Sequence, residues 1–217
     1  MKDKNYKEII NDINKILNEI CDDGRMKYHI IPVVKISVEM AKELKADEQV
    51  VEIAAYLHDV TRILGDKENH HITGAKYARD FLEKYAFDNK KIELIEKCIK
   101  NHRGSTKNNR ETIEEKIIST ADAIAHIEYP IPLFYTWYGK RKATIEEGAM
   151  EIKNKLQRSW NKIEFEYKKD TLKEKYNYLM EILSIHFYYY LSISIFGNYF
   201  RCNRIVQFLL LPLSCHL

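Results

Sequence analysis

Residues 54–64 read AAYLHDVTRIL. An apolar run ends abruptly in two polar groups, His58 and Asp59. A buried charge or unpaired imidazole is costly unless it finds a partner. The run therefore predicts a packed helix, and the pair at its end predicts partners elsewhere in the chain. Upstream, DEQVVEIAAYLHD reads as that helix, with Asp47 as its N-cap, because a carboxylate there accepts from the first free backbone N–H groups. Downstream, VTRILGDKEN reads as a loop.

The same helical period runs outward in both directions. In NYKEIINDINKILNEI, residues 5–20, Ile9, Ile13, Ile16, Leu17 and Ile20 recur at three- and four-residue steps. That is one apolar stripe on an amphipathic helix. CDDGR interrupts it, and a second helix is expected from near His29 to Leu44. HHITGAKYARDFLEKYA and NKKIELIEKCIKNH read as the fourth and fifth helices, and ETIEEKIISTADAIAHI as the sixth. RGSTKNNR between the last two is turn-like. YPIPLF is expected to interrupt regular structure, since Pro130 and Pro132 lack an N–H. TIEEGAMEIKNKLQRSWNKIEFEY then reads as one long amphipathic helix, with a last helix from near Thr171. No alternating strand pattern and no internal repeat is found. The expected fold is all-α: one helical bundle over residues 1–181, with an apolar helix or tail over 182–217.

That tail differs in kind. From Ile182 onward it contains no Asp, Glu or Lys. ILSIHFYYYLSISIFGNYF is long enough to span a bilayer, which takes about 20 apolar residues, yet His186, Asn198 and several tyrosines make it marginal. The favoured expectation is a helix buried against the domain or against a second subunit of a homo-oligomer. Contact with a membrane surface and a change of reading frame are the alternatives.

Composition narrows the function classes. The chain has 217 residues, 45% of them hydrophobic, with 7 glycines and 4 prolines, which suits one well-filled core. A net charge of +3 is small and gives no strong signal for nucleic acid. Cys21, Cys98, Cys202 and Cys215 form no CxxC pair, so a zinc knuckle is not supported. MKDKNYKEII has no apolar signal region. Free thiols in a reducing cytoplasm are the simplest expectation.

The eight histidines are His29, His58, His70, His71, His102, His126, His186 and His216. Divalent transition metals take imidazole nitrogens and carboxylate oxygens, and a catalytic site leaves one position open. His58 and Asp59 could grip one ion between them. His29, in KYHIIPVV, and Asp122, in STADAIAHI, would complete two imidazoles and two carboxylates from three helices. His126, one turn after Asp122, would orient that aspartate or simply pack.

The ordered series of His29, His58-Asp59, His70 in HHITGA, His102 in KNHRG and Asp122 in TADAIAH resembles the HD-domain superfamily of metal-dependent phosphohydrolases. The resemblance covers about residues 25–130. It implies a metal held by His29, His58, Asp59 and Asp122. It also implies a second metal position or phosphate contacts at His70 and His102, with Asp59 as bridge and His71 as the competitor of His70. One or two divalent ions are implied, Mn, Mg, Fe, Co, Ni or Zn. The implied reaction is hydrolysis of a nucleotide or other small phosphate ester by metal-activated water. Asp59 would manage the water and Arg62 the phosphate. Arg103 is a further phosphate candidate. Two features depart from close relatives. Arg62 stands where stringent-response hydrolases and some nucleotidases carry an acid, and no GYP triplet accompanies the motif. A di-iron oxygenase and a non-catalytic metal- or nucleotide-binding module stay open. Tyr129, Phe134, Tyr135, Trp137 and Tyr138, with Lys140, Arg141 and Lys142, are expected mainly to pack or be solvated, with stacking on a base as the alternative.

Overall fold

The computed structural model describes residues 2–103 and 109–199, with side chains described for 5–22, 24–103 and 109–184. Its order is α1 (Lys2–Ile20), α2 (Asp23–Arg25), a π-helical turn (Met26–Ile30), α3 (Ile31–Leu44), α4 (Glu48–Leu57), α5 (Val60–Ile63), α6 (His70–Leu82), α7 (Asn89–Asn101), α8 (Ile113–Glu128), α9 (Ile131–Phe134), a second π-helical turn (Tyr135–Lys140), α10 (Ile145–Lys162) and α11 (Glu166–Tyr199). No strand occurs among the described residues. The expected all-α bundle is what forms.

Helix α8 is the centre. From Glu114 to Ala125 only Lys116 escapes burial. A helix that buries its whole circumference must be surrounded, and α3, α4, α7 and α10 pack around it. Ser119, Thr120, Ala121, Ala123 and Ala125 keep its profile narrow, so neighbours come close. Asp122 sits within this small-residue run, 6% exposed. A charge so placed must be paired, and its partners mark the site. On α1, Ile9, Ile13 and Leu17 are fully buried and Ile16 and Ile20 partly so, as the stripe predicts.

The starts of the helices follow their capping residues. Asp47 accepts from Gln49 N at 3.1 Å and Val50 N at 3.2 Å, as expected. Thr112 with Glu115, and Thr144 with Glu147, form reciprocal capping boxes.

Four local expectations are corrected. VTRI is the short helix α5, because the chain winds again directly after Asp59. YPIPLF is mostly helical: Pro130 is the N-cap of α9 and Pro132 lies in its first turn, where no N–H is needed. The long helix ends at Lys162, where Ile163 is extended at φ −69° and ψ 118°. No Gly or Pro marks that stop. Instead Glu164 N donates to Thr120 Oγ1 of α8 at 3.2 Å, so a tertiary contact replaces the helical bond. The last helix consequently begins at Glu166, earlier than Thr171, and runs to Tyr199. Most of RGSTKNNR and the tail from residue 200, including Cys202, Cys215 and His216, lie outside the described residues. Among the described residues no helix is long and apolar enough to cross a membrane.

Candidate metal centre

Helix α4 delivers His58 at its C-terminal boundary, fully buried. Asp59 then leaves helical geometry, at φ −113° and ψ 10°. In a continuous helix, adjacent side chains diverge by about 100°. The break turns the Asp59 carboxylate into the same interior as the His58 ring. Helix α6 locks over the break. A Cβ at Gly74 would lie 3.3 Å from both Ile99 Cγ2 and Thr61 Oγ1, so only glycine lets α6 approach freely. Thr61 Oγ1 donates to His70 O at 3.0 Å and so fixes the start of α6. His29 comes from the π-helical turn before α3, a wide turn of the kind often found at functional sites.

Four imidazoles are oriented alike. Nδ1 of His58 faces Ala55 O at 2.7 Å, that of His70 faces Lys67 O at 3.2 Å, and that of His102 faces Ile99 O at 2.5 Å. Nδ1 of His126 faces Asp122 O at 2.6 Å. A ring whose Nδ1–H is bound to a carbonyl presents a bare Nε2 lone pair. The Nε2 atoms of His58, His70 and His102, joined by that of His29, converge on two carboxylates. Asp59 Oδ1 lies 3.5 Å from His70 Nε2 and 3.8 Å from His102 Nε2, and Asp59 Oδ2 lies 3.7 Å from His29 Nε2. Asp122 Oδ1 lies 3.5 Å from His29 Nε2 and 3.9 Å from His58 Nε2. His29 and His58 bring their Nε2 atoms within 3.3 Å of each other.

Three overlapping groups could each hold an ion: His29 with His58 and Asp59, His29 with Asp122 and His126, and Asp59 with His70 and His102. Asp59 belongs to two of them. The donor set is nitrogen and carboxylate oxygen alone, which suits transition dications. The convergence of bare Nε2 atoms is hard to explain by packing, because such atoms repel one another without a cation. The structure brings together His29, His58, Asp59, His70, His102 and Asp122. His71 stays apart: it joins none of the three groups, and its Nδ1 is buried without a hydrogen-bond partner among the described residues. His126 is nearer than sequence reasoning placed it, since its ring stands 5.0 Å from that of His29.

Two functional candidates were missed from sequence, both on α10. Lys162 is 8% exposed; its Nζ pairs with Asp122 Oδ2 and donates to His102 O at 3.1 Å. Lys155 lines the cleft beside it. Their signal was available. Ala149, Ile152, Leu156 and Ser159 form the buried stripe of α10, and lysines at 155 and 162 fall within that stripe.

The electrostatics follow from burial and neighbours. Burial works to raise the Asp59 carboxyl, but His29, His58 and Arg62 outweigh it and hold it well below the usual carboxylate range. Burial opposes Asp122 likewise, and Lys162, His126 and Lys155 prevail. Burial keeps His58, His70 and His126 neutral against their carboxylate neighbours. It pushes His102 down to about 3, with His58 adding to the effect. Burial also lowers the Lys155 ammonium to about 8.

The His102 shift has a measurable consequence for the metal-free protein. Its folded pKa of about 3 lies below the ordinary 6.5, so the unfolded chain binds the extra proton between those values. Stability is then present above pH 6.5 and lost as pH falls toward 3. Chelator-treated protein should show a falling thermal midpoint across that window, and His102→Gln should flatten the fall. An unchanged slope in His102→Gln would show that other groups carry it.

The centre forms the floor of a cleft of about 350 Å³. Arg62 lies over it, Nε 3.8 Å from Asp59 Oδ2, with its side chain 46% exposed. Arg103 also lines the cleft and donates to Glu68 O. Tyr129, Ile131, Leu133 and Tyr135 line the outer wall, whereas Phe134, Trp137 and Tyr138 pack against the core. Lys140 pairs with Asp22 at 2.9 Å across the mouth.

Comparison with known proteins agrees with this geometry. Residues 26–127 match the HD domain family. A tRNA (cytidine(56)-2'-O)-methyltransferase of Picrophilus torridus is 26% identical over 139 residues, 58% of this chain but only 38% of that protein. The chain thus spans well under half the length of that curated relative. Among solved structures, Bacillus subtilis YpgQ is 17% identical with a TM-score of 0.61, covering 83% of this chain and 92% of that one. An HD-superfamily hydrolase from Bacillus thuringiensis is 19% identical at the same TM-score, covering 94% and 100%. These likenesses show a shared helical fold. Residues 26–127, which enclose His29, His58, Asp59 and Asp122, are thus an HD domain.

Proposed function

We propose that the chain is a metal-dependent phosphohydrolase acting on a small phosphate ester, with nucleotides the first class to test. One observation carries the reading: Asp59 turns its two oxygens toward two nitrogen groups on the floor of an open, cation-lined cleft. Ions held by His29, His58, Asp59 and Asp122, and by Asp59, His70 and His102, would supply a water of lowered pKa and polarise a phosphoryl oxygen.

The chain's own residues do the rest. The backbone carbonyls of Ala55, Lys67 and Ile99 hold the imidazoles with Nε2 inward. Burial keeps His58, His70 and His102 neutral and thus available as donors near pH 7. Lys162 holds Asp122 by one oxygen and leaves Oδ1 directed at His29 and His58. Arg62 is placed to meet charge developing on the phosphoryl group beside Asp59, with the forked geometry suited to it. The apolar wall of Ile131 and Leu133 limits water around a bound ester.

Protein purified without chelator, analysed for metals and assayed on phosphomonoesters and phosphodiesters with Mn, Mg, Fe, Co, Ni or Zn, tests the reading. Hydrolysis that EDTA abolishes and metal restores is expected. Iron with oxygen uptake and no hydrolysis would favour a di-iron oxygenase. Nucleotide binding without turnover on the panel would favour a regulatory module.

A further inference from the structure

Helix α10 places Lys155 in its buried stripe, one turn before Ser159 and two turns before Lys162. The side chain is partly buried and lines the cleft with Asp59, Asp122, His126 and Arg62. Other cations nearby are satisfied. Lys162 has Asp122 and the His102 carbonyl, Lys140 has Asp22, and Lys153 donates to Ser184 Oγ at 2.8 Å. Lys155 has no hydrogen bond and no ion pair among the described residues. It lies near Asp122 and Asp59 yet bonds to neither: Asp59 faces imidazoles, and Asp122 faces imidazoles and Lys162. A partly buried ammonium without a direct partner is costly. A chain that needed only packing there would carry Leu or Met, so the missing partner belongs to the ligand.

We propose that Lys155 binds the phosphoryl group of the substrate, holding a non-bridging oxygen on the side of the cleft where α10 faces α8. This rests on the hydrolase reading only in calling that phosphate part of a substrate. The position makes chemical sense. A lysine is a compact point charge with three donors, suited to an oxygen whose orientation the centre sets. The strongly directional arginine, Arg62, approaches from the α5 side. Together they would grip the phosphoryl group from two elements.

The test uses the full manganese-loaded chain and inorganic phosphate as probe, titrated by calorimetry, with manganese stoichiometry measured separately. Lys155→Met keeps the aliphatic packing and should weaken phosphate binding by at least about tenfold, the loss expected for one charge-assisted contact. Lys155→Arg should recover most of it. Both should bind manganese as the unaltered protein does. Three results would overturn the proposal: unaltered phosphate affinity in Lys155→Met, no phosphate binding by the unaltered protein, or loss of manganese in Lys155→Met. Phosphate binding that depends on Lys155, with no ester hydrolysed, would uphold this inference and sink the hydrolase reading instead.

Discussion

Asp59→Ala is expected to abolish metal-dependent hydrolysis, by about a thousandfold or more, while the protein keeps its helical content. The reason is geometric. Asp59 contributes to both ion-holding groups that include His58 or His70 with His102, so one substitution removes the shared anion. The group of His70 and His102 is left with two neutral imidazoles and no carboxylate, too few to hold a dication. The group around His29 keeps Asp122 and His126 and can retain a weaker ion. Metal content should therefore fall but need not vanish. A factor of a thousand corresponds to about 4 kcal/mol of transition-state stabilisation, in line with the several kcal/mol that a positioned metal supplies. Asp59→Asn separates charge from shape: it preserves the packing and should lose activity almost as fully. Elemental analysis, circular dichroism and the hydrolysis assay decide the matter. An Asp59→Ala protein with full activity and full metal content would remove the centre assigned here.

Lys162→Met is expected to be strongly destabilising. Lys162 Nζ joins Asp122 of α8 to the His102 carbonyl that ends α7, under cover of α10. Losing one partner of a buried pair leaves an uncompensated charge, typically at a cost of about 3–5 kcal/mol. For a domain of this size that is a fall of roughly 6–20 °C in the thermal midpoint. The fall should be larger in EDTA than with metal bound, because an ion at the centre neutralises Asp122 from its other oxygen. Adding Asp122→Asn should restore part of the loss in the metal-free protein, since it removes the stranded charge. A fall below about 2 °C in EDTA would mean the pair contributes nothing to the fold. Thermal unfolding followed by circular dichroism gives the answer.

Much of this was legible in one dimension. The apolar period set the helices, since a stripe such as Ile9, Ile13 and Leu17 can only be buried on a helix. Asp47 marked a helix start, because a short polar side chain satisfies free N–H groups within three residues. The order of His29, His58, Asp59, His70, His102 and Asp122 pointed to a candidate metal centre through its resemblance to the HD-domain superfamily. Local chemistry failed where the deciding contact was distant. Nothing near Ile163 ends a helix; Thr120, more than forty residues earlier, does so by accepting from Glu164 N. The prolines of YPIPLF suggested a break, but their effect depends on position, and in the first turn of α9 they cost no hydrogen bond.

By itself, then, the sequence determined an all-α bundle and the residue types of its centre, because period and polarity are properties of neighbours along the chain. Only the tertiary structure decided which of His70 and His71 faces Asp59, because adjacent residues on a helix point different ways and the fold selects one. It alone brought Lys155 and Lys162 beside Asp122. A lysine in a stripe looks solvated until the facing helix is known, and here that helix carries the one aspartate buried in its middle.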